Sequence, residues 1–255
     1  LLRWSKVPFR RLDDIAGETA DLLASGKVLG WSQGRTEFGP RALGARSLLA
    51  SPVDPAMQAK LNEIKDREDF RPVAPVVMEE HVNDWFVDGK VAPFMLFVFD
   101  VRAEKAARIP AVRHVDGTAR VQTVNRGQHL LYYDLLDAFR QRTGVPILVN
   151  TSFNTRGEPM VNSPRDAVES FWTSPLDALV IGPFLVEKAV QPRVKAALVV
   201  ALTAVLLPVT SAPASRSALA WMGEGLSELM IGVLLGLAAQ LVFEGVQLAG
   251  TVASF

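Results

Sequence analysis

Cysteine is absent from all 255 residues, which excludes disulfides and thiolate metal sites. Neither charge is in excess, with 27 Lys and Arg against 27 Asp and Glu. A nucleic-acid binder would usually carry a basic surplus, so no nucleic-acid partner is expected. The chain opens Leu1-Leu2-Arg3-Trp4, without Met and without a basic-then-apolar pattern, so no targeting segment is read there. His81, His114 and His129 are far apart and lack metal-ligand spacing, so each is expected at the surface or hydrogen-bonded in the core. There is no G-x-S-x-G elbow and no P-loop. Ser152 has no indicated His and Asp partners, so it reads as a binding hydroxyl and not as a nucleophile.

The averages describe neither part of the chain. The 49% hydrophobic fraction blends a charged, soluble-looking stretch up to about residue 190 with a strongly apolar one from Val194 onward. About 190 residues suffice for a proper core. In that first part, the pattern predicts a helix from Asp14 to Ser25 with Asp13 as N-cap and Gly26 closing it, then a strand opening at Val28. A helix is expected to start at Asp54-Pro55 and run to about Asp66, followed by a charged turn over Arg67 to Arg71. Strands are read over Pro72 to Met78, Phe94 to Val101, Ala119 to Val124 and Pro146 to Val149, and a last one over Ala178 to Val186. Helices are read over Leu130 to Thr143, ending at Gly144, and after Ser163-Pro164 to about Thr173. The elements do not alternate strictly, so the expected fold is α/β, a twisted mixed sheet flanked by helices.

From Val194 to Val209 runs an apolar stretch slightly short for a membrane span, and a longer one covers Leu226 to Phe255. Together they read as a two-helix, transmembrane-type hairpin. Gln240, Glu244 and Gln247 share one helical face, better buried against partner helices than against lipid, and Gly232 with Gly236 allows close helix approach.

Four clusters carry possible chemistry. The first, Gly34-Arg35-Thr36-Glu37-Phe38-Gly39-Pro40-Arg41-Ala42-Leu43-Gly44-Ala45-Arg46-Ser47, mixes three arginines with three glycines after an apolar strand. Such a loop lets backbone and several guanidinium groups approach one anion, and it equally fits a mobile surface turn with solvated arginines. The second, Lys65-Asp66-Arg67-Glu68-Asp69-Phe70-Arg71-Pro72, sets Lys65 and Arg71 where they can clamp a phosphate or carbamate group, though local ion pairs on a solvated turn explain it too. In the third, His114 to Thr123, Arg120 and Gln122 point to one side of a strand, and a functional role needs that side to line a cleft. The fourth, Asn150-Thr151-Ser152-Phe153-Asn154, follows a buried strand, a position suited to binding phosphate or sugar oxygens and also to a plain Asx or Ser turn.

In this order the four clusters, with K-D-R-E-D-F-R-P-V-A-P, H-V-D-G-T-A-R-V-Q-T-V and N-T-S-F-N, resemble the C-terminal domain of the O-carbamoyltransferases over residues 1 to 188. The resemblance implies a YrdC-like domain that takes carbamoyl phosphate and ATP, with Mg expected alongside ATP, and forms a carbamoyl-adenylate. It assigns Lys65 and Arg71 to the carbamoyl phosphate and adenylate phosphates, Arg120 to the same ligand and Ser152 with Asn154 to the nucleotide, with Arg41 joining from the glycine-rich loop. The family also implies a large N-terminal acceptor domain with a histidine-bearing metal site, of which Leu1 to Arg10 reads as the trailing edge. Residues 191 to 255 are similar to the FliR-type flagellar export-gate membrane proteins, through Glu228 to Gly236 and Val242 to Gly250. Two domains are thus expected, 1–190 cytoplasmic and 191–255 associated with a bacterial inner membrane, joined near Glu187 to Gln191 by a natural fusion or an artificial one. Two other readings stay open: an integral membrane component of protein export carrying an appended soluble domain, and an α/β binding module whose apolar hairpin docks on a partner.

Overall fold

The computed structural model describes residues 2, 7–155 and 157–187. The chain divides between Ala189 and Val190 into two units, and the hairpin expected over 194–255 lies outside the described residues. Among the described residues, no helix is long and apolar enough to cross a membrane.

The first unit is mixed α/β. Its strands are β1 (Phe9–Arg11), β2 (Leu29–Ser32), β3 (Arg46–Ala50), β4 (Ala74–Met78), β5 (Phe97–Asp100), β6 (Thr118–Val124), β7 (Ile147–Ser152), β8 (Ala178–Ile181) and β9 (Phe184–Glu187). They form one nine-stranded sheet in the order β1-β9-β8-β2-β3-β7-β4-β6-β5. Only β2 with β8 and β4 with β6 run parallel. The helices are α1 (Ile15–Ala24), α2 (Met57–Ile64), α3 (Val82–Trp85), α4 (Leu130–Thr143) and α5 (Pro164–Thr173). α1 packs on α4, α4 on β4 and β7, and α5 on β2 and β8.

The local chemistry behind these elements is plain in most places. Ser163 and Asp166 close a reciprocal capping box at the start of α5, with Pro164 in the first turn where its missing N–H is harmless. Asp14, one residue later than expected, caps α1 by accepting from Gly17 N at 2.9 Å. Helix α2 is shorter than expected because Asp54 turns the chain first, its side chain accepting from Ala56 N at 2.9 Å and its carbonyl from Met57 N at 3.1 Å. The single strand expected over 178–186 is a hairpin instead, reversing at Gly182 (φ 52°) and Pro183. β3 was not expected: Arg46-Ser47-Leu48-Leu49-Ala50 has no β-branched residue, and its place between β2 and β7, with all five residues buried, makes it a strand.

Register gathers distant segments at one end of this sheet. Ser47 pairs with Ser152, Ala74 with Asn150 and Val76 with Gln122. The carboxyl ends of β2 and β7 therefore meet the amino ends of β3, β4 and β6. Across that end lies the loop joining β2 to β3. Buried Gln122 and Asn150 donate to its carbonyls, Gln122 Nε2 to Leu43 O at 2.8 Å and Asn150 Nδ2 to Ala42 O at 3.1 Å. Glu37 Oε1 ties the loop to itself by accepting from the amides of Leu43 and Ala45, at 2.9 and 2.5 Å. Trp31 Nε1 donates to Gly44 O at 2.8 Å.

Gly44 is required at that crossing. Its φ is +116°, and a Cβ there would lie 2.5 Å from Tyr132 Cδ1, in a ring that is fully buried. Gly39 has a similar φ of +121° but open space around it. Gly44→Ala is expected to lower the thermal midpoint well beyond Gly39→Ala. The difference should correspond to about 1–3 kcal/mol of overpacking, or roughly 2–4 °C per kcal/mol for a unit of this size. Equal losses in the two variants would show that Tyr132 does not fix the loop.

Candidate functional site

The second cluster owes its geometry to how α2 ends. Asp66 adopts a left-handed conformation (φ 45°), Asp66 N donates to Glu63 O at 3.0 Å and Arg67 N donates to Asn62 O at 3.0 Å. This pairing is a Schellman motif, with aspartate in the position glycine usually takes. It leaves Lys65 and Arg67 at the helix's carboxyl terminus, where the helix dipole favours cations.

Lys65 turns inward and is only 6% exposed. Its Nζ lies 2.6 Å from Ser152 O, 3.0 Å from Asn154 O, 2.7 Å from Asn154 Oδ1 and 3.3 Å from Ser152 Oγ. Ser152 Oγ in turn donates to Asn154 Oδ1 at 2.7 Å. Three residues expected to work together, from α2 and the end of β7, thus meet directly. Burial is the main cause that pushes the Lys65 ammonium down from 10.5 to about 7, and the positive charge of Arg67 adds to it.

Around this knot stand guanidinium groups. Arg120 on β6 is half-buried, and burial lowers its pKa, assisted by the charge of Arg41. Arg67 is lowered by burial first and then by Arg71, with Glu68 opposing and Arg120 adding a smaller push. His114 is lowered by burial, with Asp116 opposing and Arg120 assisting. Lys65, Arg67, Arg71, Arg120 and Arg41 therefore form one chain of mutually repelling cations. Arg71 is exposed and lies 3.5 Å from Glu68. Two donors in this chain, Arg67 Nη2 and Arg120 Nε, are buried and have no hydrogen-bond partner among the described residues. Such donors cost about 1–3 kcal/mol each while unpaired.

The arginine-glycine loop behaves differently from the expectation that its arginines converge on one anion. Arg46 is 5% exposed and wholly engaged by backbone carbonyls: those of Gln33 and Ala45 at 3.0 Å each, Gly34 at 3.2 Å and Asn162 at 3.0 and 3.1 Å. Arg35 lines a separate cavity of about 450 Å³ with Thr36, Glu37 and His129. Only Arg41 interacts with the cationic chain. The polar side of β6 is likewise not a solvated face, because Gln122 is buried and accepts from Asn150 Nδ2 at 2.7 Å. Asn62 escaped the reading of the sequence, and Arg67, named there within the second cluster, was given no role of its own. Their signal was an asparagine beside the apolar positions Met57, Leu61 and Ile64 of α2, five residues before an arginine. The three histidines are all hydrogen-bonded, His81 to Asp84, His114 to Thr118 and His129 to Tyr132 N.

The family profile described as Carbamoyltransferase C-terminus matches residues 20–188, and the profile of Bacterial export proteins, family 1, matches residues 175–255. The two overlap on β8 and β9, which are integral to the nine-stranded sheet. Nodulation protein NolNO of Sinorhizobium fredii is 49% identical over 193 residues, covering 74% of this chain and 28% of that protein. The 3'-hydroxymethylcephem-O-carbamoyltransferase of Amycolatopsis lactamdurans is 41% identical over 187 residues, covering 73% of this chain and 35% of that protein. The chain thus spans about a third or less of the length of these relatives. Among solved structures, full-length HypF in its phosphate- and nucleotide-bound form is 20% identical with a TM-score of 0.46, over 71% of this chain and 22% of that one. The extent of the first profile match and the identity to these relatives establish that the chain belongs to the carbamoyltransferase family, residues 20–188 being its C-terminal region.

Proposed function

We propose that residues 1–190 are the part of an O-carbamoyltransferase that binds carbamoyl phosphate and ATP, in a YrdC-like domain, and forms a carbamoyl-adenylate for transfer to a hydroxyl acceptor. The observation that carries the reading is the pair of unpartnered buried donors, Arg67 Nη2 and Arg120 Nε, inside a chain of five cations at one sheet end. A phosphoryl group supplies what that arrangement lacks, several oxygens and a charge of opposite sign. The acceptor would be held by the N-terminal portion that the longer relatives carry.

In this reading water first attacks the phosphorus of carbamoyl phosphate, and its P–O bond breaks to give carbamate and inorganic phosphate; a carbamate oxygen then attacks the α-phosphorus of ATP, a new P–O bond forms and the bond to the β-phosphate oxygen breaks, releasing pyrophosphate. Negative charge accumulates on the phosphoryl oxygens, and fixed cations stabilise it without a protein nucleophile. Arg120 and Arg71 contact the phosphates, with Arg41 closing from the loop. Lys65 keeps Ser152 and Asn154 in place and adds its charge, and the hydroxyl and amide of those two residues bind the nucleotide. Magnesium would accompany ATP and would supply charge neutralisation at its phosphates; among the described residues there is no group of three or more His, Asp or Glu that could hold a metal ion.

Arg120→Ala is expected to weaken binding of carbamoyl phosphate and of ATP by tenfold or more in titration calorimetry, with the fold retained. Unchanged affinity for both ligands would remove the site assignment. The Lys65 titration gives a second test, best made with sulfate, which keeps its charge from pH 6 to 9. An anion favours the ammonium form, so sulfate affinity should be highest below pH 7 and decline as pH rises through about 7. The same group acts oppositely on folding. Between about 7 and 10.5 the unfolded chain holds the proton more tightly, so this lysine's contribution to stability grows as pH rises. A flat sulfate profile over this range would mean that Lys65 does not sense the anion.

The export-protein match supports a second reading for the apolar segment alone, as a membrane-embedded piece. The expected outcome is that the full chain sediments with membranes and is released by detergent but not by high salt. Recovery in the soluble fraction would remove it.

A further inference from the structure

Arg41 reaches the cationic chain without a bond of its own. Among the described residues its exposed guanidinium has no hydrogen bond and no ion pair, yet it stands near enough to Arg120 to lower that residue's pKa. Its place is therefore set by the backbone that carries it. That backbone is irregular: from Phe38 to Ala42 no N–H group donates to a backbone carbonyl among the described residues, and Gly39 holds a φ of +121°. A run without internal bonds would sample many shapes. One carboxylate closes it. Glu37 Oε1 accepts from Leu43 N at 2.9 Å, from Ala45 N at 2.5 Å and from Arg46 N at 3.3 Å, so the residue just before the run is bonded to those just after it. Ionised acceptors make the stronger kind of amide hydrogen bond. The negative charge, which alone would oppose a nearby anion, faces buried Arg46 and favours its charged form.

We propose that Glu37 is a positioning residue of the site: by closing the loop it holds Arg41 where a phosphorylated ligand meets it, without touching the ligand. This rests on the proposed binding of such a ligand and adds to it the group that orders its loop. The closed loop is fastened to the sheet beside Arg41, through Ala42 O on Asn150 and Leu43 O on Gln122. An arginine carried on a loop ordered in advance loses less freedom when the anion arrives, and affinity rises accordingly.

Sulfate titration of the full-length protein tests this, with thermal unfolding as the check on folding. Arg41→Ala and Glu37→Ala are each expected to weaken sulfate several-fold. Glu37→Gln is expected to stay within about twofold of the native protein, because it keeps one oxygen for the three amides and loses only the charge. Glutamine as weak as alanine would show that the charge acts and not the closure; glutamine and alanine both binding more tightly would show a carboxylate that merely repels the anion. Either result overturns the proposal. In the Arg41→Ala background, Glu37→Ala is expected to change affinity by no more than about twofold, because it acts through Arg41. A full loss in both backgrounds would make Glu37 a structural residue of the whole unit and overturn the proposal as well. Should Glu37→Ala not fold, Glu37→Asp, one methylene too short to reach all three amides, replaces it in both backgrounds. Arg120→Ala in the same titration keeps the two readings apart. If it weakens sulfate while the Arg41 and Glu37 variants bind normally, the phosphoryl site stands and the role of Glu37 falls; if none of them weakens it, the site itself falls.

Discussion

The contact between the Lys65 ammonium and the oxygens of Ser152 and Asn154 joins the two halves of the site. It spans 87 residues of sequence to Ser152 and fastens the end of α2 to the end of β7. Without it the helix end would bring its cations to no particular place, and the Asn150 to Asn154 segment would be an ordinary turn. A buried ammonium is costly unless oxygens surround it, and here four lie within 3.3 Å. Removal from water, with the positive charge of Arg67 adding to it, is why its proton is loosely held, so the same burial that organises the site makes it sensitive to pH near neutrality.

Assembling five cations in one place opposes folding, and the surrounding structure offsets that repulsion locally. The carboxyl end of α2 offers a favourable dipole to Lys65 and Arg67. Glu68 opposes the charge at Arg67 and Arg71. Asn62 prevents Arg67 from turning away. The loop carrying Arg41 is pinned by uncharged contacts, from Gln122, Asn150 and Trp31, so its position does not depend on an ion pair that salt would screen. Among these cations, Arg67 Nη2 and Arg120 Nε are the buried donors left without a partner in the described residues.

The sequence disclosed those parts of the fold that local chemistry decides. Helix α4 runs over the expected Leu130–Thr143 and stops at Gly144, whose φ is +69°, and α5 starts at its Ser163-Pro164 signal. β6 also lies within a residue of its expected span. What local chemistry does not decide was missed. β3 is a strand because neighbours on both sides hydrogen-bond to it, and Leu-Leu-Ala alone reads as well for a helix. The clusters containing Lys65, Ser152 and Asn154 could be picked out by composition, whereas their meeting depends on sheet register. Arg46 shows the opposite limit. Its setting among glycines suggested an anion, yet its donors all go to carbonyls, and no property of the sequence separates a guanidinium that shapes a loop from one that faces a ligand.

That difference between Arg46 and Arg67 is where the physical argument rests. Both are arginines, both are removed from water to a large degree, and both have pKa values lowered by burial. Arg46 is satisfied by five contacts to neutral carbonyls, and the carboxylate of Glu37 favours its charge, so adding an anion there would gain little. Arg67 has one neutral acceptor at Nε, like charges nearby and a buried donor left over. The unmet hydrogen-bonding capacity therefore lies with Arg67 and Arg120 and not with the less exposed Arg46. Burial alone thus does not separate the two arginines; the unmet hydrogen-bonding capacity of the guanidinium does.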